Sequence, residues 1–185
     1  MKPALILATT GGLLALILAL LNHWTAPQIL EREAEAKLAA LSRALPHPDE
    51  TVRPLPPKGG TSEIYWSAQA SEPTGYLFGI RTNAGYSGKI EAWLSVTLSG
   101  EIRRIYTFSH KETPGIGHII EPDQPFIRQF EGINLLSDGI HLRSNGGAID
   151  AVTGATITSR AIIDALTRSQ ATFIAARGTT REIDG

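Results

Sequence analysis

From Ala4 to Leu21 the chain carries no charged side chain, and these 18 residues include eight leucines and two isoleucines. An α-helix rises about 1.5 Å per residue, so such a run nearly spans a hydrocarbon core of about 30 Å. Lys2 precedes it, and Asn22, His23 and Trp24 follow; the indole of Trp24 suits a membrane–water interface. A cleaved signal peptide is the competing explanation. The apolar run exceeds a usual signal core, however, and Trp24 and Pro27 crowd the only place for a small-residue cleavage site. Residues 1–24 are therefore expected to form an uncleaved transmembrane anchor. Lys2 on one side is balanced by Arg32 and Lys37 on the other, so flanking charge does not fix the orientation.

The rest of the chain divides by composition. Thr25 can cap a helix with Pro27 in its first turn, and Leu30, Ala34, Leu38, Leu41 and Leu45 then form one stripe. This predicts an amphipathic juxtamembrane helix over 25–45, lying against a partner or against its own domain. Residues 46–60 hold Pro46, Pro48, Pro54, Pro56, Pro57, Gly59 and Gly60, a composition that predicts a stiff linker. A globular domain is expected over 61–177, and a polar tail over 178–185.

Within that domain, Tyr76, Phe78 and Ile80 alternate with Leu77, Gly79 and Arg81. Ile90, Ala92, Leu94, Val96 and Leu98 alternate with Glu91, Trp93, Ser95 and Thr97, the cleanest period of two in the chain. Ser99-Gly100-Glu101 reads as a hairpin turn into a strand from Ile102 to Phe108. A short helix is expected around Pro125–Phe130, and a longer one after Thr156, where Ile162, Ala165, Leu166, Ser169 and Phe173 recur at helical spacing. Strands first and helices later predict an α+β fold with an antiparallel sheet and flanking helices.

Net charge is -1 with no cysteine. That gives no electrostatic reason for nucleic-acid binding, and it excludes thiolate metal sites and iron–sulfur clusters in this chain. Two stretches could carry chemistry. Asp150-Ala151-Val152-Thr153-Gly154-Ala155-Thr156 places a hydroxyl where a small-residue turn becomes a helix. The first turn of a helix offers unpaired N–H groups and the positive end of a macrodipole, a seat for phosphate. Asp150, Thr153, Thr156, Thr158 and Ser159 are equally candidates for an ordinary N-cap. His110-Lys111-Glu112-Thr113-Pro114-Gly115-Ile116-Gly117-His118 is a tight glycine-containing loop that can wrap a flat ligand or simply connect two elements. His110, Glu112 and His118 as metal ligands match no familiar zinc spacing, and no GxSxG elbow supports a serine hydrolase.

These two stretches, together with Gly85-Tyr86-Ser87-Gly88, resemble the FMN-binding domain family. Within it the chain looks like the G subunits of Rnf-type ion-translocating electron-transport complexes, whose sisters are the C subunits of sodium-translocating NADH:quinone reductases. The three motifs stand in family order, and His118 departs from the acidic residue common after the glycine loop. The resemblance implies FMN joined through its phosphate to Thr156, installed by a separate flavin transferase that uses FAD and magnesium. Asp150, Thr153, Gly154 and Ala155 belong to the attachment motif. Glu112, Thr113, Gly115, Ile116 and Gly117 are then expected to border the ring system, with Tyr86 and Ser87 approaching it. No catalytic residue and no metal ligand is implied. It further implies a single-pass protein of the bacterial inner membrane, with its flavin domain on the periplasmic side. Its partners would be the other subunits of the complex, and its role electron relay coupled to ion translocation. A membrane-anchored flavin sensor, or a phosphate-binding module, remains open at this point.

Overall fold

A computed structural model describes residues 2–55, 63–70, 72–115, 117–137 and 140–183. The elements run α1 (Lys2–Arg43), β1 (Thr51–Pro54), β2 (Ile64–Gln69), β3 (Glu72–Gly85), β4 (Gly88–Thr97), β5 (Ile102–His110), a 3₁₀ turn (Gly117–Ile120), α2 (Pro125–Arg128), a second 3₁₀ turn (Arg143–Asn145) and α3 (Thr156–Ile183). The chain forms two compact units, Met1–Ala39 and Ala40–Gly185.

In the first unit the apolar stretch of α1 is long and hydrophobic enough to cross a membrane, with none of it buried. Thr9 and Thr10 return their hydroxyls to carbonyls of the preceding turn, at 2.9–3.2 Å. Both side chains are thereby satisfied without water. The break expected at Thr25 does not occur. Thr25 Oγ1 instead donates to Leu21 O at 2.9 Å, and the helix passes through Pro27. Capping residues act where a helix begins; here the helix already exists when Thr25 is reached. The expected stripe splits between the two units. Leu30 and Leu38 are exposed, whereas Leu41 and Leu45 are buried.

In the second unit the five strands pair antiparallel in chain order, β1-β2-β3-β4-β5. Alternation sorts their side chains to two faces. On one, Tyr76, Phe78 and Ile80 of β3 sit opposite Val96, Leu94 and Ala92 of β4, packed with Ile162, Ala165, Leu166 and Phe173 of α3. On the other, Leu77 and Trp93 pack against Ala40 and Leu41 at the end of α1 and Ala44 and Leu45 just past it. Burying each large side chain contributes roughly 1.5–3 kcal/mol, so both faces hold the sheet. β5 breaks simple alternation, because Val96 pairs with Ile102 while Ser95 pairs with Arg104. Arg103 is the extra residue of a bulge, which lets Ile102 and Ile105 share the α3 face.

The stretch expected as a linker contains β1, paired Thr51↔Ala68 through Pro54↔Tyr65. Pro54 is accommodated because β1 is an edge strand, where a missing N–H leaves no ladder bond unmade. Glu50, just before β1, is buried. Its Oε1 lies 2.7 Å from Arg103 Nη2, an ion-pair contact whose angle is off hydrogen-bond alignment. The remainder of that stretch, Pro56–Gly60, falls outside the described residues. So does the end of the expected tail, Asp184–Gly185, and α3 itself continues through Gly178 to Ile183.

Candidate functional site

Three segments far apart in the chain meet at one carboxyl group. Glu112, two residues past β5, is 7% exposed. Its Oε2 accepts the Thr158 hydroxyl at 2.6 Å and its Oε1 accepts the Ser87 N–H at 3.1 Å. Thr113 Oγ1 and Ser87 Oγ add a 3.3 Å contact. The β3–β4 hairpin, the glycine loop and the start of α3 are thus fastened to one another. Glycine is required at two places around this carboxyl. A Cβ on Gly85 would lie 2.5 Å from Glu112 Oε1, and one on Gly117 would lie 2.7 Å from Glu112 Cβ and 2.8 Å from His110 Cε1.

Thr158 and Thr156 stand two positions apart on α3, so they face different directions. Thr158 is fully buried, holding Glu112; Thr156 is exposed. Ser159, also fully buried, fixes the turn before the helix. Its hydroxyl donates to Ala155 O at 3.0 Å and accepts the Val152 N–H at 3.4 Å. Ala155 N closes the turn on Val152 O at 2.9 Å, and Gly154 inside it has φ +81°, a conformation that favours glycine. The first helical bond is Ser159 N to Ala155 O. The N–H groups of Thr156, Ile157 and Thr158 come before it and have no intrahelical acceptor. The Thr156 hydroxyl therefore stands at the positive end of α3.

The glycine loop closes by Gly117 N donating to Thr113 O at 2.9 Å, and Lys111 N donates to Lys89 O at 3.3 Å. Gly115 has φ +90°. The space beside Gly115 and beside Gly154, where a side chain would project, is open. Tyr86, at the hairpin tip, is 65% exposed, and Ser87, Thr113 and Thr153 are exposed with it. An exposed hydroxyl at a helix start, open glycine faces and an unburied aromatic ring fit a flat, phosphate-tethered ring system such as FMN. Ile116, expected at its border, falls outside the described residues.

Asp150 is placed otherwise than as a helix cap. Its carboxylate takes a two-pronged fork from Arg143, Nε to Oδ1 at 2.5 Å and Nη2 to Oδ2 at 3.0 Å. This hydrogen bond holds the Asp150 carboxyl below its usual range; burial opposes, and the charge of Arg143 adds to it. The same bond pushes Arg143 up. Gln129 secures the Asp150 backbone, accepting its N–H at 2.7 Å and donating to its carbonyl at 3.2 Å. Arg143 and Gln129 carry no signal in the linear pattern, since Gln129 lies 21 positions before Asp150. His118 bonds Glu121 at 2.8 Å. Among the described residues no three His, Cys, Asp or Glu side chains are grouped to hold a metal ion.

The FMN-binding domain model matches residues 85–170, which contain all three segments joined at Glu112. The G subunit of the ion-translocating oxidoreductase complex of Stutzerimonas stutzeri is 33% identical, covering 90% of this chain and 77% of that protein. Its counterpart in Cereibacter sphaeroides is 34% identical over 86% of this chain and 77% of the relative. The chain belongs to this G-subunit family. The G subunit of Pseudomonas aeruginosa is similar too, 31% identical over 90% of this chain and 86% of the relative. Among solved structures, NqrC of Shewanella oneidensis is similar with a TM-score of 0.47 and 21% identity, covering 68% of this chain and 65% of that one. The G-subunit likeness runs through both units of the chain, and the α+β architecture with its antiparallel sheet accords with the FMN-binding domain.

Proposed function

We propose that this G-subunit relative carries FMN covalently on Thr156 and relays electrons within a membrane complex that couples electron flow to ion translocation. The observation that carries the reading is the opposed placement of two neighbouring threonines. Thr158 is buried against Glu112, which fixes the helix start, and Thr156 is left exposed at its positive end. A threonine hydroxyl is a weak nucleophile, and neither a histidine nor a lysine stands in the attachment turn to activate it. Attachment is accordingly assigned to a separate flavin transferase acting on FAD. The Thr156 oxygen forms an ester bond to the FMN-side phosphorus, the pyrophosphate bond breaks, AMP leaves, and the hydroxyl proton passes to a base of the transferase. The resulting diester keeps one negative charge, which the start of α3 favours.

Thr113, Gly115, Gly117, Tyr86 and Ser87 would hold the ring, with Glu112 keeping their segments in register; Asp150, Thr153, Gly154 and Ala155 shape the attachment turn. Bound there, the flavin supplies one- and two-electron redox chemistry. The ester retains the cofactor whatever the affinity of the site, which matters for a domain on the periplasmic side, where replacement is hard. α1 anchors the chain in the inner membrane as a single pass, beside the other subunits of the complex. Mass spectrometry of the full chain co-produced with its transferase should show one added FMN moiety, absent from Thr156→Ala. An unshifted wild-type mass would refute the proposal.

A further inference from the structure

The attachment turn hangs between two fixed points. Downstream it is held by α3, through Ser159 on Val152 and Ala155 and Thr158 on Glu112. Upstream it is held at the buried Ile149 and at Asp150, which makes four hydrogen bonds with two side chains, Gln129 and Arg143. Arg143 is itself fixed by the backbone, because its N–H donates to Ile149 O at 2.7 Å and Ile149 N returns to His141 O at 3.2 Å. Gly147 packs so closely on this loop that a Cβ there would lie 2.0 Å from His141 O. The guanidinium fork therefore comes from a cinched loop. Between the two fixed points Thr153 and Gly154 are exposed, with Ala155 buried beside them.

We infer that Arg143 is a positioning residue for flavin attachment: through its fork on Asp150 it sets the turn that presents Thr156 to the transferase. The inference rests on the proposed attachment at Thr156. It assigns the acidic residue of the motif a partner inside this chain, so that the transferase reads the shape of the turn rather than a free carboxylate. The Arg143 and Asp150 side chains are 66% and 61% exposed, so substituting them opens no cavity in the core.

The test uses the full chain in detergent with purified transferase, FAD and magnesium, following FMN addition by intact mass. Arg143→Gln and Asp150→Asn should each lower the transferase kcat/KM by at least about fivefold, as expected when a reacting group is misplaced. Their thermal melts should stay close to wild type. The exchanged pair, Arg143→Asp with Asp150→Arg, should recover most of the loss, because the fork is rebuilt with its ends reversed. If Arg143→Gln is modified at the wild-type rate, or if the exchanged pair is no faster than Asp150→Asn, the transferase contacts Asp150 directly and the inference is overturned. A wild-type chain that takes up no FMN would instead refute the proposed function.

Discussion

Replacing Glu112 and Thr158 singly and together measures the bond on which the site is assembled. The Thr158 hydroxyl is fully buried and donates to Glu112 Oε2 at 2.6 Å, so Glu112→Ala removes its acceptor. A buried donor left unpaired costs about 1–3 kcal/mol. The Ser87 N–H, which loses its acceptor too, belongs to an exposed residue that water reaches, so it adds little. Thr158→Val removes the donor at nearly constant shape. Once it is gone, Glu112→Ala should cost about 1–3 kcal/mol less than in the wild type. Urea unfolding of the flavin-free full chain in micelles, followed by tryptophan fluorescence, reads this coupling, because Trp93 is 1% exposed in the folded domain. Glu112→Gln should retain the acceptor for Ser87 and lose less than Glu112→Ala. Costs that add to within about 0.5 kcal/mol would show that the two side chains are not coupled, and the site's assembly around Glu112 would fall.

Other perturbations test neighbouring features. Gly117→Ala should cost about 1–3 kcal/mol by crowding Glu112 and His110, and adding His110→Ala should recover part of it in thermal melts; a wild-type melt for the single variant would refute the packing. Arg103→Ala leaves the fully buried Glu50 side chain without its partner and should cost about 3–5 kcal/mol in denaturant unfolding, whereas removing both charges with Glu50→Leu and Arg103→Met should cost less. The Asp150 carboxyl is depressed in the folded chain by its bond from Arg143. Its contribution is therefore complete above the ordinary carboxylate value of about 3.9 and is lost as pH falls through the lower folded value. In an NMR titration the Asp150 midpoint should rise in Arg143→Gln; equal midpoints would show that the fork does not persist in solution.

What could be read from the sequence followed from how strongly a segment repeats its period. β4 was legible because Ile90, Ala92, Leu94 and Val96 alternate with no interruption, and the anchor because nothing charged breaks it. β2 was not, since Ile64 to Gln69 runs Ile-Tyr-Trp-Ser-Ala-Gln with no alternation, and its place is set by pairing with β3, where Trp66 lies opposite Tyr76. β1 was hidden among prolines. The helix break at Thr25 followed a sound capping rule that the helix already running upstream overrode. At the site, the three motifs could be aligned with a family pattern, but only geometry revealed what joins them. Thr158 and Ser159 looked like spare caps and prove to be internal fasteners. Gln129 and Arg143 had no signature, because a hydrogen bond across 21 residues leaves no local trace.

The strand order has a consequence for timing. Each strand of the meander pairs only with its neighbours in the chain, so the sheet can form hairpin by hairpin from short-range closures. The contact between Glu112 and Thr158 spans 46 residues and requires the last helix to dock on a sheet already made. The fastening of the attachment turn to the glycine loop is therefore expected to follow the hairpins. Attachment at such a turn would act as a stamp of quality, colouring only those molecules whose assembly is finished.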